Sequence, residues 1–160
     1  MRKPPQHYIS KDAVFVWRVS SLLSVSFLWV GLIIFTYFSR RFDLISFRYL
    51  LLIWISLLLL TVVVSMLIPY IRWKRWRYEV LDQEIDLQRG VWVVSRTLIP
   101  MVRVQHVDTI QGPLLRMKKL ATVVISTAAT KHSIPALDEK EADQLRDQIS
   151  RLARVDDDDV

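Results

Sequence analysis

The stretch IPYIRWKRWRYEV, residues 68–80, stands where two regimes of the sequence meet. Four basic residues (Arg72, Lys74, Arg75, Arg77) and four aromatics (Tyr70, Trp73, Trp76, Tyr78) fall within nine positions. Cations interleaved with stacking rings describe a single-strand nucleic-acid binder. They also describe the point where a chain leaves a bilayer. Trp and Tyr favour the membrane–water interface, and Lys and Arg mark its cytoplasmic flank.

What precedes the patch favours the second reading. Val19–Phe38 and Tyr49–Ile68 are two runs of 20 residues without a charge. At about 1.5 Å per residue, each crosses a hydrocarbon core of about 30 Å as a helix. Only 110 of the 160 residues lie outside the runs and the loop between them. So short a remainder cannot cover two helices that are apolar all round. Pro69 ends or kinks the second helix at the exit. Arg72, Trp73, Lys74, Arg75, Trp76 and Arg77 are therefore expected to anchor the chain at the interface, and nucleic acid is not expected as a partner. The stretch Ala13–Trp17 can extend the first helix, leaving Arg18 to snorkel. No small-x-small cleavage pattern follows the first run, so a removable signal peptide is not expected.

The net charge of +6 is unevenly distributed: residues 1–77 hold 11 Lys/Arg against 2 Asp/Glu, and residues 78–160 hold 11 against 14. The N-terminal flank, residues 1–18, has Arg2, Lys3, Lys11 and Arg18. The exit has its four, and the connecting loop, residues 39–48, has three (Arg40, Arg41, Arg48). The bias predicts two spans, a short external loop and both termini in the cytoplasm.

From Trp76 the pattern turns to period two. Trp76, Tyr78 and Val80 alternate with charges, as do Ile85 and Leu87, which predicts half-buried strands. Val91–Ile99 reads as a third strand. In MVRVQHVDT, residues 101–109, a bulge near Gln105–His106 reconciles two registers. Gln111–Leu120 opens with Gly-Pro and reads as a turn or short helical connector. ATVVISTA is another strand, and HSIPAL is edge-like because of Pro135. Ala142, Leu145, Ile149 and Leu152 then repeat at helical spacing, with Asp138 as the expected cap. Asp156–Asp159 reads as an acidic tail, residues 156–160. The spacing predicts a small β barrel or sandwich closed by an amphipathic helix over residues 76–155, preceded by the exit, residues 69–75.

The wording of this half is more specific than its periodicity. RVQHVDTIQGPLLR (residues 103–116) and LATVVISTAA (residues 120–129), behind paired spans, resemble the bacterial pleckstrin-homology-like membrane proteins of the YdbS type. The resemblance covers nearly the whole chain. It implies a pleckstrin-homology-like domain on a two-helix transmembrane hairpin in the cytoplasmic membrane, and it does not imply a catalytic activity; the chain is expected to be non-catalytic. It also implies company, a larger related membrane protein carrying several such modules. Many relatives place a glycine where Lys119 stands.

Little else points to chemistry. With no cysteine, disulfides and thiol catalysis are excluded. His7, His106 and His132 have no metal-ligand spacing, and no glycine-rich phosphate loop is present. Neither a cofactor nor a small-molecule substrate is expected. The spans carry no Asp, Glu or His for an ion relay. Two features remain. Arg103, Arg116, Lys118 and Lys119 can form a basic rim for lipid headgroups or an acidic partner. Gly31, Ser24 and Ser26 allow close helix packing, within the chain, with another protein or by self-association. Two functional readings follow. One is a non-catalytic module that docks a related membrane protein, with a role in envelope protection. The other is a sensor of anionic lipid through the basic rim.

Overall fold

The computed structural model describes residues 3–158. The chain forms two compact units, Trp17–Tyr70 and Met1–Val16 with Ile71–Val160.

The first unit is built on α1 (Ala13–Arg41) and α2 (Phe47–Val62). A π-helical turn, Val63–Leu67, carries α2 on into α3 (Ile68–Arg75). Within the most apolar window of each long helix only 11% and 6% of residues are buried, so these are not core helices of a water-soluble fold. Such faces are at rest only in hydrocarbon. The helix does not end at Pro69. Proline lacks an N–H, and its ring collides with the carbonyl four residues back in a regular helix. Here the Ile68 N–H reaches back to the Val63 carbonyl, five residues away, and the widened turn carries the chain past Pro69. The connection is also tighter than the sequence predicts. Helix occupies Ser39–Arg41 and Phe47–Arg48, leaving residues 42–46 as the turn, with Asp43 left-handed at φ 49°.

A reciprocal pair of hydrogen bonds joins α1 and α2. The Trp29 indole donates to Thr61 Oγ1 at 3.0 Å, and the Trp54 indole donates to Thr36 Oγ1 at 3.1 Å. Each threonine donates onward to its own helix, Thr36 to the Leu32 carbonyl and Thr61 to the Leu57 carbonyl. The two indoles meet edge to face with centroids 5.5 Å apart. Every polar hydrogen in this cluster therefore has an acceptor, as a lipid-embedded site requires.

The second unit holds two antiparallel sheets. One runs β1 (His7–Tyr8), β2 (Arg77–Val80), β3 (Glu84–Arg89), β4 (Ser95–Pro100), in that order. The other runs β5 (Val104–Ile110), β6 (Leu120–Thr127), β7 (Lys131–Asp138). A short helix, α4 (Pro113–Met117), links β5 to β6. The last helix, α5 (Glu139–Asp158), packs on β5, β6 and β7. Its Ala142, Leu145 and Ile149 join Tyr78, Ile85, Leu87, Ile99, Val123, Ile125 and Ile134 in one buried core. The helix runs through Asp156–Asp158, into the stretch read as a tail; Asp159 and Val160 lie outside the described residues.

The bulge expected at Gln105–His106 is present. The β5–β6 register shifts by one between Val104 and His106. A second shift, between Ala121 and Val123 against β7, puts the extra residue at Pro135–Ala136, where Ala136 takes φ 53°. That bulge is how an edge strand accommodates its proline. Two strand expectations need correcting. Residues 91–94 are not strand, because Gly90, at φ 144°, turns the chain out of the sheet and β4 begins only at Ser95. Met101–Arg103 form a 3-10 turn that buries Met101 and turns Val102 outward.

The N-terminal flank is part of this unit. Pro5, Ile9, Ala13 and Val16 are buried, β1 pairs with β2, and the Ser10 N–H donates to the Ala136 carbonyl on β7 at 3.1 Å. A strap of about ten residues thus covers one edge of each sheet. A two-residue strand has no period to read, which is why the flank looked featureless.

Candidate functional site

Two surfaces carry the residues singled out by sequence. The first is the exit from the second apolar run. Its aromatics do not act together. Trp76 is 3% exposed and belongs to the core, so it is not an interface anchor. Trp73 is half-buried and donates its indole N–H to the Ile9 carbonyl at 3.1 Å. Tyr8 packs against Trp73, and the Arg77 guanidinium lies over the Tyr8 ring at 4.4 Å. Two of the six anchor residues, Trp73 and Arg77, therefore fasten the N-terminal strap, and Trp76 lies in the core. Arg72, Lys74 and Arg75, all on α3, remain at the surface. Arg75 Nη1 donates to the Val91 carbonyl, tying α3 to the loop between β3 and β4.

The second surface was expected to be one basic rim. The structure splits it. Arg103 immediately precedes β5, whose first residue, Val104, pairs with Thr127 at the end of β6. Arg116, Lys118 and Lys119 precede Leu120, the start of β6. Eight strand residues separate the two groups, about 23 Å at 3.3 Å per residue. Within the remaining trio, Lys118 is already engaged. Its Nζ lies 3.5 Å from Asp12 Oδ1 and 4.6 Å from the centre of the Phe15 ring. Lys119 has φ 53°, so the tight turn that suits glycine forms here with lysine. Its backbone N–H donates to Arg116 and its carbonyl accepts from Glu139, so the turn seats the start of α5.

Arg103 instead lines a cleft of about 450 Å³ with Leu98, Pro100, Val102, Thr127 and His132. The cleft is open, with a lining of mixed apolar and polar side chains. Leu98 and Val102 are exposed along it, beside β4, which pairs with β3 alone among the described residues. His132 accepts from or donates to Thr130 Oγ1 at 2.8 Å. Burial first, and then the Arg89 charge, hold its imidazole below the ordinary pKa. Nothing in the sequence pattern marks this cleft, since it depends on where the β6–β7 hairpin falls against β4.

Two polar contacts behind these surfaces were also missed. Arg96 Nε donates to both carboxylate oxygens of Asp86 at 3.0 Å, and Arg96 Nη2 donates to the Lys3 carbonyl, so the strap closes over a buried carboxylate. The Tyr78 hydroxyl donates to Glu141 Oε1 at 2.7 Å, joining β2 to α5. Burial, then that bond and the Glu141 charge, push the phenol well above its ordinary pKa. His106 and Asp108 sit 4.0 Å apart on an exposed face, a loose pair. Among the described residues no three His, Asp or Glu side chains converge as a metal site.

Two apolar helices followed by two antiparallel sheets and a closing helix define a membrane protein with a pleckstrin-homology-like domain. The family model for the bacterial PH domain matches residues 22–153, and the chain belongs to that family. It is 51% identical, over the full length of both chains, to the UPF0699 transmembrane protein YdbS of Bacillus subtilis (strain 168). It is also 25% identical over 83 residues to the UPF0699 transmembrane protein YdbT of the same organism. That match covers 49% of this chain and 17% of the relative. No solved structure matches.

Proposed function

We propose that this chain is a non-catalytic assembly subunit of the bacterial cytoplasmic membrane. Its pleckstrin-homology-like domain docks a longer membrane protein that carries related domains. The observation that supports this most is the cleft beside β4. An unpaired strand edge next to a partly apolar groove is the arrangement that accepts an extended segment by strand addition. Leu98 and Val102 offer apolar contacts, and Arg103 selects for a carboxylate at one end. The similarity to YdbT, a longer protein of which this chain matches 17%, supports a partner of the same kind. In this reading both termini are cytoplasmic, Arg72, Lys74 and Arg75 hold the exit helix at the inner leaflet, and the complex serves envelope protection.

The test is extraction of the tagged full chain from native membranes in mild detergent, followed by mass spectrometry. A longer relative at fixed stoichiometry is the expected result, lost in Leu98→Lys/Val102→Lys with the protein still folded. Recovery of the chain with lipid alone would refute assembly. The lipid-sensing alternative has less support, because Arg103 stands apart and Lys118 is engaged by Asp12.

A further inference from the structure

The loop of residues 90–94, between β3 and β4, is the most apolar exposed feature of the second unit. Trp92 is 87% exposed and Val93 80%, with Val94 also exposed beside them. Large apolar groups presented this openly in water cost free energy with no structural return. The loop is also built rather than slack. A Cβ at Gly90 would lie 1.9 Å from the Val93 carbonyl oxygen, so only glycine lets the chain fold back on itself here. That fold-back leaves the side chains of Trp92 and Val93 pointing away from the domain.

The position of the loop is set by Arg75, which donates to the Val91 carbonyl. Arg75 follows Ile68, the last residue of the second apolar run, by seven residues on α3. The residue adjoining Trp92 is thus hydrogen-bonded to a cation of the helix that leaves the apolar run. Lys74 and Arg72 on α3 and Arg89 at the base of the loop add positive charge, which suits an anionic leaflet.

We propose that residues 90–94 form a second membrane contact. Trp92 and Val93 enter the interfacial layer of the same bilayer that the two helices cross, and Arg75 ties the loop to the exit helix. Trp is the side chain that most favours this layer, having an apolar body and one N–H for the headgroups. The chain then meets the bilayer at the loop as well as at the helix exit. This contact is independent of the assembly cleft, which is lined by other residues.

The absence of native cysteine makes the test direct. Single cysteines at Trp92, Val93 and Asp82 are spin-labelled in the full chain, reconstituted in vesicles containing anionic lipid. Asp82 lies in the turn at the other end of β3, a strand of six residues, and reports water. The expected result is severalfold greater relaxation by oxygen relative to a water-soluble nickel chelate at 92 and 93 than at 82. The difference should shrink for Val93→Cys in an Arg75→Gln background. In the cysteine-free protein, quenching by lipids brominated near the headgroup should fall on Trp92→Phe, which isolates this indole from the others. Labels at 92 and 93 as open to the nickel reagent as the label at 82 would overturn the proposal. So would labels shielded from both reagents, since that marks a protein interface.

Discussion

Lys119 shows how a single backbone angle can be decided by its surroundings. A left-handed lysine costs about 1–2 kcal/mol relative to a right-handed one. It persists because its N–H and carbonyl both serve the junction of α4, β6 and α5. Lys119→Gly removes the strain but loosens the unfolded chain, so a net gain of about 1 kcal/mol or less is expected. Lys119→Val should destabilise, and thermal unfolding in detergent should rank Gly above Lys above Val. Tyr78→Phe deletes the donor to Glu141 and leaves a part-buried carboxylate short of a partner, a loss of about 1–2 kcal/mol. His132 carries a pH dependence. Its folded pKa lies below the unfolded value of about 6.5, so the unfolded chain takes the proton first. Its stabilising effect is intact above that value and is lost as pH falls below it. His132→Gln should flatten the thermal midpoint between neutral and mildly acid pH. An unchanged slope in that variant would assign the dependence to other groups.

At the scale of elements, periodicity was legible wherever one face is buried along several residues. β2, β3, β6 and α5 fall where alternation and helical spacing put them, and even the bulge in β5 followed from a change of face. What failed did so for a physical reason. Val91–Val94 has strand-forming residues, yet Gly90 folds that segment into a loop. Arg103 and Arg116 are near in sequence but lie at opposite ends of β6, because β5 and α4 run back along it. Trp76 and Trp73 look alike in sequence, and only packing separates the core ring from the strap's partner. The clamp between α1 and α2 was readable in principle. Trp29 and Thr36 are seven residues apart, as are Trp54 and Thr61, so antiparallel helices bring each Trp to the other's Thr. Intramembrane hydrogen bonds of this kind average about 0.6 kcal/mol and reach about 1.7. Trp29→Phe or Trp54→Phe should each cost that much by SDS-titration midpoint. The double variant should cost less than the sum if the two bonds and the ring contact act as one cluster.

At the scale of the whole molecule, the strap carries the strongest constraint. Residues before the first apolar helix and residues after the second fold into one unit. β1 pairs with β2, Trp73 holds the Ile9 carbonyl, and Ser10 holds β7. Such a unit forms only if both flanks are on one side of the bilayer, which demands an even number of spans. Charge counting gave the same topology weakly, since three basic residues in the loop oppose the bias. Packing therefore adds to what the charge bias favours, while charge still chooses which side. Single cysteines at Gln6, Leu44 and Asp147 separate these claims. With a membrane-impermeant maleimide applied to intact cells stripped of any outer barrier, only Leu44→Cys should react. Gln6→Cys and Asp147→Cys should react together once the membrane is opened. Reaction of the latter two alone in intact cells would keep the hairpin and reverse its orientation. Opposite behaviour of positions 6 and 147 would break the shared unit itself, because β1 could not then reach β2.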